Sequence, residues 1–284
     1  MSKANELVQN FEKLETISPI GVRLLRLIND NKSTIKDLGD VIKLDPTLAA
    51  HLLRVVNSPY YALLNRVERI DNAVVLVGMN NLRNMIAVAT MKTVLASDSC
   101  DQGFSSKALW FHCAAVAICA KMISERIFGL LGEDAFLCGL LHDIGMIVEF
   151  ETVPELFLKA CRSYDPQAGP FTDCEQKNIE GGDHCETGLL LAESWQLPEA
   201  IQGAIRDHHD LSGKVSPSDM SGLIQIANYL VTNMGHASLP AMKLNLAPSL
   251  RAHLHANRDE YKALIKEMPA ELLKAREIYD IKES

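Results

Sequence analysis

The stretch EDAFLCGLLHDIGMIVEF, residues 133–150, reads as a buried apolar helix that carries an imidazole and a carboxylate, His142 and Asp143, side by side in its interior. Taking such a pair out of water costs free energy unless hydrogen bonds or opposite charge offset it. The rest of the chain must therefore supply groups that satisfy both side chains.

The same periodicity recurs outward from this stretch. Residues 108–128 (ALWFHCAAVAICAKMISERIF), 153–164, 182–197, 198–211 and 219–235 return Ala, Leu, Ile and Val every three or four positions, which predicts helices. Aromatic residues make up only 6% and strand-like alternation is scarce, so the expected fold class is all-α, a two-part helical bundle. In the first third, SPIGVRLLRLIND (18–30) predicts a helix capped by Ser18, with Pro19 at its first position and a stripe of Val22, Leu25 and Ile28. TIKDLGDVIKL (34–44) and DPTLAAHLLRVVNS (45–58) follow, the second capped by Asp45 ahead of Pro46 and ended by Pro59. Residues 70–96 predict a short helix, a break at Gly78 and a long apolar helix. SDSCDQGFSS (97–106) loses the apolar period. We expect an N-terminal helical part over 1–104, a second helical domain over 105–235 and a charged helical appendage over 236–284. The Gly/Pro-containing segment 165–182 is expected to be a long loop before His184.

A chain of 284 residues with 48% apolar content can close one large core or two small ones. Its 28 cations against 36 anions give a formal charge of −8, which repels a phosphate backbone and argues against a nucleic-acid partner. The apolar run 108–123 is interrupted by His112 and Lys121 and falls short of the roughly 20 clean residues of a bilayer span, so no membrane partner is expected. The N-terminus MSKANELVQNFEKLE lacks an apolar secretion core, and the seven cysteines contain no C-x-x-C pair; both features predict a cytoplasmic location.

Five histidines, His112, His142, His184, His208 and His209, fall on or at the ends of predicted helices of the second domain. His112 shares a stripe with Val116, Cys119 and Ile123, and His208 and His209 follow Ile205 by three and four residues, so all three face inward. Asp183 and Glu186 form a capping-box pattern that puts His184 at a helix start. A lone histidine on an apolar face is ordinarily a hydrogen-bonded core residue. Five of them with an aspartate leave core packing and metal binding as the two open readings. Asn228 lies on a helix striped by Ile224, Ala227 and Val231 and is either a packing amide or a neutral ligand. Cys185 is a soft donor without a companion thiol, and His51, His236, His253 and His255 read as surface residues. Arg54, Tyr60 and Arg83 suggest a partner surface. No G-x-G-x-x-G, Walker or G-x-S-x-G motif occurs.

The order His112, His142–Asp143, His184, His208–His209 resembles the HD superfamily of metal-dependent phosphohydrolases, with spacing close to its HD-GYP branch. DPTLAAHLLRVVNSPYY (45–61) and AVVLVGMNNLRNM (73–85) resemble the HDOD family of bacterial signalling proteins, over roughly residues 17–235. The resemblance implies an all-helical, usually regulatory protein. It also implies that His112, His142, Asp143, His184, His208 and His209 are ligands to one or two divalent ions, Fe, Mn or similar, with Asp143 bridging. Three positions depart from the hydrolases: Asn228 replaces a last aspartate, Met146 a lysine and Ala108 a frequent glutamate. The segment HHDLSGKVSP also lacks their Gly-Tyr pair. Two divalent ions with Asp143 as sole carboxylate would leave about +3 in the core, so a single ion or a weakly held pair is expected. These features predict a signalling module with an incomplete metal site that acts through a protein partner in trans. The alternative is a metal-dependent phosphohydrolase of a nucleotide or cyclic dinucleotide.

Overall fold

Local capping sets the first helices. Thr34 and Asp37 form a reciprocal capping box at the start of α2 (Ile35–Ile42), and Asp45 Oδ1 accepts from the Leu48 N–H, 3.1 Å away, at the start of α3 (Pro46–Val56). Ahead of them, α1 spans Lys3–Lys13. α4 (Ile70–Val94) is interrupted at Gly78, whose φ of 76° and ψ of 162° suit only glycine, and its two halves diverge by 104°. The computed structural model describes residues 2–13, 23–24, 27, 33–57, 63, 66–94, 100–101, 103–212 and 215–279. Most of the helix expected over 18–30 lies outside these residues, as do Pro59 and Tyr60; Arg23, Leu24 and Leu27 are helical.

At the expected boundary a short antiparallel pair, β1 (Cys100–Asp101) and β2 (Phe104–Ser105), delivers the chain to α5 (Ser106–Arg126), where Ser105 Oγ caps the Ala108 N–H at 3.2 Å. The remaining described residues are helices and their connections: α6 (Glu133–Leu141), α7 (Ile144–Thr152), α8 (Pro154–Ser163), α9 (Phe171–Asn178), α10 (His184–Ser194), α11 (Glu199–Asp207), α12 (Met220–Asn233), α13 (Pro248–Ala256) and α14 (Arg258–Tyr279). The protein is all-α. α5 is its axis, packed by α6, α12 and α14. By length and composition α5 could cross a bilayer, but 83% of its apolar window is buried inside the bundle, which makes it a core helix. Among the described thiols six are free, five of them buried as small core residues.

Two expectations change. Residues 133–150 are not one helix: α6 ends at Leu141 and α7 begins at Ile144, with Asp143 at φ −99° and ψ 17° between them. Successive side chains on an unbroken helix point about 100° apart; the break swings His142 and Asp143 toward each other. The expected loop 165–182 contains α9, whose Phe171 and Glu175 are buried together with Ile179 just past its end, at four-residue steps. The terminal segments also pack on this bundle. α1 packs against α7 and α10, and α14 lays Tyr261, Leu264 and Met268 on the bundle while touching α3 and α4.

Candidate metal centre

Each expected ligand reaches the site from a different place in the bundle. His112 lies on α5, His142 closes α6, Asp143 stands between α6 and α7, His184 opens α10, and His208 and His209 follow α11. His112, His142, Asp143, His184 and His208 are at most 2% exposed; His209 is half-buried.

Asp143 is the hub. Its Oδ1 lies 3.6 Å from His184 Nε2 and 3.3 Å from His208 Nε2, whereas its Oδ2 lies 3.5 Å from His112 Nε2 and 3.3 Å from His142 Nε2. The opposite nitrogen of each ring is already committed. Nδ1 of His112 meets the His236 carbonyl at 2.6 Å, that of His142 the Gly139 carbonyl at 2.8 Å, and that of His208 the Ile205 carbonyl at 2.8 Å. Carbonyls only accept, so these three Nδ1 atoms must carry protons. In the neutral rings of His112, His142 and His208 the Nε2 therefore presents a lone pair toward Asp143.

Lone pairs facing one another and a carboxylate repel, so this arrangement calls for a cation. Nε2 of His112 and of His142 are buried without a hydrogen-bond partner. Nε2 of His184 and His208 stand 3.3 Å apart. Tetrahedral ligands at the ordinary metal–nitrogen distance would stand about 3.3 Å apart. Two donor sets close enough to hold an ion result, one of Asp143, His184, His208 and His209, the other of Asp143, His112 and His142. The residues present fit a divalent cation, with Asp143 able to serve both sets.

Electrostatics follow the same geometry. Burial pushes the His112 pKa down to about 4, and it also lowers those of His208 and His209. Burial opposes ionisation of Asp143 as well, but the imidazoles around it, His142 foremost, outweigh it and hold its carboxyl well below the usual carboxylate range. His184 is the exception. Burial disfavours its charged form, yet Cys185 and Glu175 beside it raise its pKa well above the ordinary value. Burial also raises the Cys185 pKa, leaving the thiol uncharged near neutral pH, so Glu175 is the operative charge.

A pH dependence follows for the protein stripped of metal. The unfolded chain takes up protons at the ordinary histidine pKa, while folded His112 resists until about pH 4. This contribution to stability is complete above the unfolded value and is lost as pH falls toward the folded one. His184 has the opposite sign, with its contribution present in acid and lost as pH rises through its folded pKa. Glu149, whose pKa burial raises, shares that sign, and the three lowered histidines outnumber the two. Acidification from about pH 7 to about pH 5 should cost about 2 kcal/mol through His112 alone, a fall of about 5 °C in thermal midpoint. An unchanged or rising midpoint would contradict these assignments.

The remaining candidates divide. Asn228 is buried on α12, where its Oδ1 accepts from Thr232 Oγ1 at 3.3 Å. Met146 is fully buried, and Ala108 lines an open cavity of about 560 Å³ with Thr232, Gly235 and Met242. His236 and His253 are not free surface residues: His236 supplies the carbonyl that orients His112, and His253 stacks on Phe128 and bonds the Tyr261 hydroxyl. Arg83 lies on the second half of α4, which packs on α6, with its Nη1 3.6 Å from Asp134 Oδ1. Arg54 is exposed and donates to His51 Nδ1; Tyr60 lies outside the described residues.

Sequence reasoning missed two buried acids. Glu175 Oε2 lies 2.6 Å from His184 Nδ1, and Glu149 on α7 accepts from Thr187 Oγ1 at 3.3 Å. The signal for Glu175 was its place between Phe171 and Ile179 at four-residue steps; for Glu149 it was an acid inside MIVEF.

Comparison with known proteins gives a consistent picture. The HDOD domain family matches residues 14–211. An uncharacterized protein of Treponema pallidum is 28% identical over 204 residues, covering 70% of this chain; the aligned region spans only 39% of that relative's length. Among solved structures, an HDOD domain protein of unknown function from Geobacter sulfurreducens superposes with a TM-score of 0.67 at 23% identity, covering 94% of this chain and 97% of the other. A candidate phosphohydrolase from Shewanella amazonensis gives 0.65 at 23% identity over 96% and 95%. A candidate signal transduction protein from Marinobacter aquaeolei gives 0.71 at 20% identity over 97% and 65%. At these identities the likeness is one of fold.

Proposed function

This chain belongs to the HDOD domain family, and from that premise we propose that it is a regulatory module that keeps one divalent-metal site and acts through a protein partner rather than by turnover. The observation that carries this reading is the inequality of the two sides of Asp143. Oδ1 faces a set completed by three imidazoles, whereas Oδ2 faces a set with two, and Ala108 and Asn228 bring no charge to it. A second divalent ion on the Oδ2 side would add charge to a dry core with nothing to offset it. The side chain at position 146, a lysine in the cyclic-dinucleotide hydrolases this chain resembles, is a buried methionine that cannot hold a phosphate.

In this reading His184, His208, His209 and Asp143 would hold the ion, and the Ile205 carbonyl fixes the His208 ring. A bound divalent ion would supply Lewis acidity and charge there. It would also tie α10, α11 and the α6–α7 break together, making the second domain's stability depend on metal. The first unit exposes Leu44, Val75 and Leu76, apolar side chains that a protein partner could cover.

One observation favours the phosphohydrolase reading: the two Asp143 oxygens face two separate imidazole pairs, as a paired-metal site requires. The decisive assay offers Mn²⁺- or Fe²⁺-loaded protein a panel of phosphomonoesters, nucleotides and cyclic dinucleotides. The regulatory reading predicts no turnover beyond that of His142→Ala. Hydrolysis that disappears in His142→Ala would establish the enzyme instead.

A further inference from the structure

We propose that Glu175 is a positioning residue for the metal centre, holding His184 in the tautomer that turns Nε2 toward Asp143 and adding a second negative charge behind it. This rests on the metal-site reading above. His184 differs from its neighbours in what holds its Nδ1. His112, His142 and His208 lean on backbone carbonyls, but His184 leans on a side-chain carboxylate, fully buried, at 2.6 Å. The same Glu175 Oε2 lies 3.4 Å from the His184 backbone N–H, so one oxygen grips both ring and main chain at the first residue of α10. A carboxylate behind a ligating imidazole fixes its orientation and raises its basicity.

Glu175 is itself held from behind. Glu149 is fully buried, and burial together with the Glu175 charge raises its pKa well above the usual range, so Glu149 is the neutral acid of the pair. The two oxygens left without any other partner are Glu149 Oε2 and Glu175 Oε1. A carboxylic acid proton on the first, donated to the second, satisfies both. The chain Thr187 hydroxyl, Glu149 acid, Glu175 carboxylate, His184 imidazole then runs from α10 through α7 and α9 back to α10 with every donor matched. Its charge favours the Oδ1 side: one divalent ion is balanced by Asp143 and Glu175, which explains a preference for a single ion in a dry core.

The test has two arms. In the first, long-range ¹H–¹⁵N spectra of the metal-free protein read the His184 ring. A protonated Nδ1 in strong hydrogen bonding is expected in the wild type and in Glu149→Gln, whose amide can still donate to Glu175 and accept from Thr187. It should be lost in Glu175→Ala. In the second arm, Mn²⁺ affinity is measured from the electron paramagnetic resonance of the free ion. Glu175→Ala should weaken binding by about 10- to 100-fold, Glu175→Gln should fall between it and wild type, and Glu149→Gln should stay within about threefold of wild type. Wild-type affinity in Glu175→Ala, or a loss in Glu149→Gln as large as in Glu175→Gln, would overturn the proposal and reduce both acids to packing. If Glu175→Ala does not fold, the wild-type spectrum and the two amide variants still decide the outcome. Absence of Mn²⁺ binding by wild-type protein would instead defeat the metal-site reading, with the ring spectra still judging Glu175.

Discussion

Replacing Asp143 by asparagine should remove the metal while leaving the helices in place. The amide has the shape of the carboxylate but neither its charge nor its second acceptor oxygen, and four Nε2 atoms within 3.6 Å depend on that charge. Removing one partner of a buried ionic cluster costs about 3–5 kcal/mol, or roughly two to four orders of magnitude in dissociation constant. The metal-free fold should survive, because three ring anchors are backbone carbonyls that the substitution does not touch. Circular dichroism of the stripped protein should therefore match wild type while Mn²⁺ titration shows the loss. Binding within about threefold of wild type would place the ion, if any, elsewhere.

Gly145→Ala should do more damage than its size suggests. A Cβ at position 145 would stand 1.9 Å from the His184 carbonyl oxygen and 2.8 Å from the Gly188 nitrogen, both main-chain atoms that cannot rotate away. α7 and α10 would have to separate by more than an ångström, and α10 carries His184. Overpacking of this kind costs about 3 kcal/mol or more, a fall of about 6–12 °C in thermal midpoint for a chain of this size. Metal affinity should fall with it. Gly203→Ala is the control: its Cβ would meet nothing nearer than Ser221 Oγ at 3.8 Å. Alanine in that helix should hold or raise the midpoint. Equal midpoints for the Gly145 and Gly203 variants would refute the close helix contact.

Much of this architecture was legible because amphipathic helices announce their faces. The stripe Val116, Cys119 and Ile123 correctly turned His112 inward, Asp183 signalled the start of α10, and Gly78 marked a real break. What escaped was whatever the tertiary structure imposes on locally helix-compatible residues. Nothing in LLHDIG forbids a continuous helix, yet the bundle breaks it between His142 and Ile144 so that both side chains can meet. Pro166, Gly169 and Pro170 disguised the approach to α9, and with it Glu175. The backbone carbonyls of Gly139, Ile205 and His236 carry no side-chain signature at all. The pairing of Arg83 with Asp134 spans 51 residues of chain and joins two helices whose approach no local pattern reveals.

The measurement that bears most directly on the centre is anomalous diffraction from crystals of protein purified without chelators, collected on both sides of the Fe and Mn absorption edges. One strong peak is predicted on the Oδ1 side of Asp143, bounded by His184, His208 and His209, with the Oδ2 side weak or empty. Crystals of chelator-free protein showing no peak among these side chains, even after soaking in Mn²⁺, would contradict the claim that converging imidazoles and Asp143 exist to hold a cation.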